Sequence, residues 1–171
     1  MINIFRLFSV VTFLSLLSGC GGYPRILNYP FDTGGRGLNS PALEIHPQIA
    51  SQYIAFISDR NGSQDVYLYD AKDRRLIDLP GLNSFDEIAS HPSVSEDGRY
   101  IVFTLSRQGK PDIYIYDRTT LIKRNLTANL PAEVRNPVIS ANGSKIAFEI
   151  AANGQWDIAV YNRSGQTLNL P

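Results

Sequence analysis

A segment that begins HPQIASQYIAFISDRNGSQDVYLYD at His46 recurs as HPSVSEDGRYIVFTLSRQGKPDIYIYD from His91 and as NPVISANGSKIAFEIAANGQWDIAVYN from Asn136, so the copies start 45 residues apart. A fixed period of this length constrains the fold more than any local propensity, because each copy must be one supersecondary unit that buries its faces against its neighbours. Spacing inside the copies is also held: Phe56 to Asp65, Phe103 to Asp112 and Phe148 to Asp157 are each nine residues apart. The first copy alone departs. It has Ala50, Ser51 and Gln52 where the others have a turn two residues longer, Ser95 to Gly98 and Ser140 to Gly143.

Each copy reads as four short strands. In the second these are Pro92 to Ser95, Tyr100 to Leu105, Ile113 to Tyr116 and Leu121 to Leu126, with a tight turn at Asp97 and Gly98 and a loop from Ser106 to Pro111. The first copy offers Ile54 to Ile57, Val66 to Tyr69 and Leu76 to Leu79, and the third Ile146 to Ile150, Ile158 to Tyr161 and Thr167 to Leu170. After Cys20 no stretch has a helical period. Four antiparallel strands repeated every 40 to 45 residues or so make the blade of a β-propeller, so the fold class is all-β.

The strand motifs narrow this further. YIAF, YIVF and KIAF are followed by DVYLYD, DIYIYD and WDIAVYN. From His46 to Pro171 the chain resembles the WD40-like repeats of the TolB propeller family, departing from it where Glu96 and Ala141 replace the usual turn proline. The resemblance implies a non-catalytic propeller that binds protein or peptide partners, with a role in Tol-type biopolymer transport or envelope integrity.

Ahead of the repeats, Leu7 to Leu17 is an uncharged, mostly apolar run behind Arg6. It fits a secretory h-region of about 7 to 15 residues and falls short of the roughly 20 that a spanning helix needs. Leu17, Ser18 and Gly19 lead into Cys20, the one cysteine of the chain. This LSGC resembles the lipobox of bacterial lipoproteins at all four positions. It implies cleavage before Cys20, acylation of its thiol and amino group, and a chain held to a membrane of the bacterial envelope, facing the periplasm; several acyl chains make such anchoring stable. The other reading is a plain secretory peptide cut near Gly19 or Gly22. No cofactor is expected beyond the covalent lipid. Residues 1–19 are thus read as signal peptide, 20–45 as lipidated cysteine, tether and orphan outer strand, and 46–171 as three blades.

Three blades do not close a circle, since propellers typically have about four to eight. The fold is therefore either a partial propeller or half of a six-bladed ring made by a head-to-tail homodimer. RILNYP at Arg25 to Pro30 echoes RRLIDLP at Arg74 to Pro80, and GLNS at 37–40 recurs at 81–84, as if the first segment were the tail of a missing blade whose strand pairs with the final one.

Composition excludes one class of partner. Sixteen basic residues balance sixteen acidic ones and are spread thinly over 171 residues, so no basic face for nucleic acid is expected. His46, His91 and Asn136 occupy one repeated position before proline, which reads as backbone hydrogen bonding at a turn, with no metal ligand spacing around them. Asp65, Asp112 and Asp157 open the third strands, and Asp70, Asp117 and Asn162 close them; both sets read as turn caps. No GxSxG elbow is present and no catalytic residue is assigned. Trp156 and the third-strand tyrosines read as inter-blade packing. A partner would meet the loops that repeat symmetry puts on one face, through Asp59, Arg60 and Asn61, then Arg107, Gln108 and Lys110, then Asn153 and Gln155. Two other functions fit the same fold: a channel-sited hydrolase or lyase assembled across the dimer, if His46, His91, Asp65 and Asp112 converge on a metal, and a structural lipoprotein or fragment of a longer propeller.

Overall fold

A computed structural model describes residues 36–169. The leader, the lipobox residues Leu17, Ser18, Gly19 and Cys20, and the RILNYP stretch lie outside the described residues, as do Leu170 and Pro171. Strands β1 (Glu44–Ala50), β2 (Tyr53–Ser58), β3 (Asp65–Asp70) and β4 (Arg75–Ile77) form the first sheet. The second contains β5 (Ile88–Val94), β6 (Tyr100–Arg107), β7 (Lys110–Asp117) and β8 (Ile122–Asn125), and the third β9 (Val134–Ile139), β10 (Lys145–Ala152) and β11 (Gln155–Asn162). Each sheet is an antiparallel meander in which sequence neighbours pair. Among the described residues no helix is long and apolar enough to cross a membrane.

The blades stand where the repeats put them, with three differences in detail. First strands start earlier than expected, at Ile88 rather than Pro92, and the first blade begins at Glu44 rather than His46. The expected loop Ser106 to Pro111 shrinks to a two-residue hairpin, as does the matching stretch of the third blade, because Gln108 and Gly109, and likewise Asn153 and Gly154, all have positive φ and so match the twist of the flanking strands. Fourth strands are short, three residues in the first blade and four in the second. In the third blade the expected strand from Thr167 is, among the described residues, one bridge between Tyr161 and Thr167.

Burial explains the composition of the second strands. Ala55, Ile57, Val66 and Leu68 of the first blade share a core with Ile101, Phe103, Leu105 and Tyr116 of the second. On the opposite face Val102, Ile113 and Ile115 meet Ile146, Phe148 and Tyr161 of the third. The middle blade is covered on both sides, so β6 reads YIVFTL as a continuous apolar run instead of alternating.

One contact is repeated at both junctions. Tyr53, at the start of β2, lies against Gly98 in the turn of the second blade, and Tyr100 lies in the same way against Gly143 of the third. In each turn the glycine N–H donates to a serine carbonyl (Ser95 or Ser140, 2.8 Å), and the serine hydroxyl accepts the N–H of Tyr100 or Lys145. Arg118 and Arg163, again at matching positions, place their guanidinium groups 5.8 and 4.6 Å from the centres of the Tyr53 and Tyr100 rings. The tight turn expected at Asp97 and Gly98 is thus a four-residue loop, Glu96 to Arg99, in which Gly98 alone has positive φ.

A Cβ on Gly98 would lie 2.6 Å from the Tyr53 ring, and the glycine φ is +69°. Gly98→Ala should therefore cost about 2–4 kcal/mol in chemical unfolding, from left-handed strain plus overpacking. In a Tyr53→Ala background the same change should cost only the strain, about 1–2 kcal/mol; equal costs in both backgrounds would refute the contact.

Candidate functional site

The first strands β1, β5 and β9 neighbour one another and form the inner edge of the array. Each carries a bulge at the repeated X-Pro pair. The pairing registers slip between Ile45 and Gln48, between Ser90 and Ser93, and opposite Ala147 to Glu149. At these slips His46, His91 and Asn136 have φ of 52°, 47° and 53°. Asn, Asp and His tolerate the left-handed region better than other side chains, which accounts for two histidines and an asparagine in one slot. These positions are mid-strand bulges rather than the turn caps expected from sequence.

The bulges turn their side chains into a row along the inner edge. The His46 and His91 rings stack with centroids 3.9 Å apart and planes 21° from parallel. Asn136 Nδ2 donates to Glu149 Oε1 (3.0 Å), Arg135 Nε donates to Glu149 Oε2 (2.6 Å), and the Arg135 guanidinium lies 3.7 Å from the centre of the Trp156 ring. Hydrogen bonds from Asn136 and Arg135 hold the Glu149 carboxyl below its usual range. Partial burial lowers the His91 pKa, and the neighbouring His46 lowers it further. Trp156, expected between blades, instead carries Arg135 on the open side of the third blade.

Among the described residues no three His, Cys, Asp or Glu side chains gather as metal ligands. Asp65 and Asp112 stand apart from the histidine row, accepting hydroxyl protons from Ser63 (2.9 Å) and Thr127 (3.0 Å), and Asp157 accepts from Gln155 (3.0 Å). The opening carboxylates are therefore not turn caps. The closing residues are: Asp70 accepts the N–H groups of Lys72 and Asp73, Asp117 that of Thr119, and Asn162 those of Ser164 and Gln166. Arg99 adds two hydrogen bonds to Asp117 and pulls its carboxyl down to about 2.

The second candidate surface holds the hairpins between second and third strands. Arg60, expected there as a partner contact, folds back onto its own blade. It pairs with Glu44 at 2.8 Å, donates to the carbonyls of Gly37 and Leu38, and stacks on Phe56 and Tyr67. Asp59 accepts the Leu43 N–H, so it too secures the segment before β1. Asn61, Gln108, Lys110, Asn153 and Gln155 are exposed. Arg107 is half exposed and paired with Glu87, a buried carboxylate that also accepts from Lys123 (2.6 Å).

Sequence reasoning missed Phe85, whose side chain is 90% exposed in the link between the first two blades. It borders a polar hollow lined by Asn61, Ser63, Asp65, Asn83 and Ser84. A second hollow, about 600 Å³, opens between the hairpin Gln108 to Pro111 and the link Leu130 to Glu133. A lone phenylalanine between Ser84 and Asp86, in a segment with no strand alternation, was the available signal.

No protein-family model and no curated protein sequence matches the chain. Solved structures do. TolB from Acinetobacter baumannii is 24% identical with a TM-score of 0.60, over 76% of this chain and 32% of that one. The β-propeller domain of the Trilobed protease from Pyrococcus furiosus, which has an open velcro topology, gives 16% and 0.54 over 75% of this chain and 42% of that one. A puromycin-hydrolysing peptidase from Mycobacterium tuberculosis gives 14% and 0.55, over 76% and 21%. The fold is that of TolB-like β-propellers, and the chain spans about a third of the TolB it matches.

Because neutral His91 is favoured in the fold, protons bind the unfolded chain first as pH falls below about 6.5, and stability drops from there until the folded midpoint is passed. An NMR titration should put the His91 midpoint below 6.5, and His46→Asn should raise it. An unmoved midpoint would exclude coupling through the stack.

Proposed function

We propose that this chain is a non-catalytic, lipid-anchored propeller of the bacterial cell envelope that faces the periplasm and binds protein or peptide partners through its hairpin face. The observation that carries this reading is Phe85. A fully presented aromatic ring, beside a hollow of hydrogen-bonding groups, is the kind of anchor on which protein interfaces concentrate their energy. The exposed Gln108, Lys110, Asn153 and Gln155 are further polar groups on the hairpins of the second and third blades. The likeness to TolB supports the reading at the level of fold, and LSGC at Leu17 to Cys20 supports the anchor. Under this reading the role is Tol-type transport or envelope integrity. The competing reading, a hydrolase or lyase, would use the row of His46, His91 and Glu149 and draws on the peptidase propellers of the same fold.

A photo-cross-linking residue in place of Phe85, in living cells, should capture one defined protein, whereas the same residue in place of Lys72, in the turn between β3 and β4, should not. Phe85→Ala should weaken binding of the captured protein about tenfold or more. Equal capture from both positions would overturn the hairpin face, and turnover of peptide or oligosaccharide substrates that is lost in His91→Ala would favour the enzyme. Cys20→Ser should abolish incorporation of labelled palmitate and release the chain from membranes; retained labelling would refute the anchor.

A further inference from the structure

Two faces of the array are built like internal junctions but have no blade against them among the described residues. On the third strands Val66 and Ile113 are 1% and 0% exposed, whereas Ile158, at the same position in the last blade, is 70% exposed. At the other end Val94 is 1% exposed in the second blade, and Ile49, its counterpart in the first, is 65% exposed. A sheet face meant for water carries polar residues at such positions. Here both keep a β-branched aliphatic side chain. Val138 extends the patch. Its counterparts Gln48 and Ser93 accept the N–H groups of Val94 (2.8 Å) and Ile139 (3.2 Å) of the next blade, whereas Val138 is exposed and has no acceptor to offer.

The segment before β1 indicates what belongs there. Gly37 to Ser40 repeats the GLNS of Gly81 to Ser84, which links the first blade to the second. In that link Leu82 is buried between the blades, and Asn83 clasps Val66 of the blade behind it, accepting its N–H at 3.0 Å and donating to its carbonyl at 2.9 Å. Leu38 and Asn39 line an apolar groove of about 410 Å³ on the uncovered face of the first blade, beside Ile49, Ile54 and Phe56. Asn39 makes no such clasp among the described residues. The segment is built as a link between blades, and among the described residues no blade stands behind it.

We propose that a second copy of this chain supplies that blade: the third blade of each copy covers the first blade of the other, with Ile158 seated against Leu38, Asn39 and Ile49. Two copies of three blades make six, within the range of about four to eight in which propellers close, and three copies would exceed it. A two-fold axis then makes both junctions identical. The tyrosine contact changes on both sides of this junction together. Lys145 replaces the tyrosine on the third blade, while the first blade has the short turn without glycine, and Ala71 where Arg118 and Arg163 stand. This inference does not depend on the partner-binding reading.

The test uses the full chain in detergent. Light scattering should give a protein mass of two chains at about 10 µM, and Ile158→Lys and Ile49→Lys, both exposed in the single chain, should each shift it to one chain that keeps the β-sheet circular dichroism of the parent and melts at a lower temperature, because the contact between copies no longer stabilises it. A photo-cross-linker at position 158, in a mixture of light and heavy-isotope chains, should give mixed-isotope products joined to residues between Leu38 and Phe56. A one-chain mass for the unsubstituted protein, variants that remain two chains, or cross-links confined to one copy or to another segment would each overturn the proposal.

Discussion

A tyrosine ring laid on a glycine turn, with an arginine over the ring, joins each blade to the next, and the rest of the architecture depends on it. Gly98 and Gly143 leave no Cβ between turn and ring, which lets the sheets approach closely enough for their apolar faces to interdigitate. Behind the ring, Val66 and Ile101 on one side and Ile113 and Ile146 on the other lose essentially all contact with water. Full burial of an aliphatic side chain contributes about 1.5–3 kcal/mol, so these cores outweigh the polar contacts that orient them.

The same repetition builds a row of side chains at the inner edge. Three bulges put His46, His91 and Asn136 in a backbone conformation most residues avoid, and the surrounding strands hold them there. The strain turns the rings out of the ladder, so that two histidines stack and the asparagine reaches Glu149. The hairpin face is different in kind. Its arginines are satisfied inside the protein, Arg60 by Glu44 and Arg107 by Glu87, which leaves the Phe85 ring, Lys110 and neutral polar groups exposed. These ion pairs tie down the segment before β1 and the link between the first two blades.

How much was legible depends on whether a feature repeats. Strand order, blade number and the equivalence of His46, His91 and Asn136 follow from a period visible in the residues alone. Departures from the period were visible without being interpretable. The short turn at Ala50 to Gln52 and Lys145 in place of tyrosine stood in the sequence as irregularities, and only the structure showed that they concern blade junctions. Arg60 was expected to face a partner, but its position in a loop says nothing about which way a long side chain folds. It turns inward to cover Phe56 and Tyr67, where its charge also holds the chain before β1.

Sequence by itself determined the sheet-forming units, because short apolar, β-branched and aromatic runs punctuated by Gly, Asn and Asp turns specify antiparallel strands locally and a 45-residue period demands that successive units stack. Tertiary structure alone decided which faces of those units are covered. Ile113 and Ile158 are the same residue at the same place in two copies of one motif, yet one is sealed and the other open. Burial is a property of what lies on the far side of a sheet: the aliphatic residue marks a face suited to be covered, and only the neighbouring element decides whether it is.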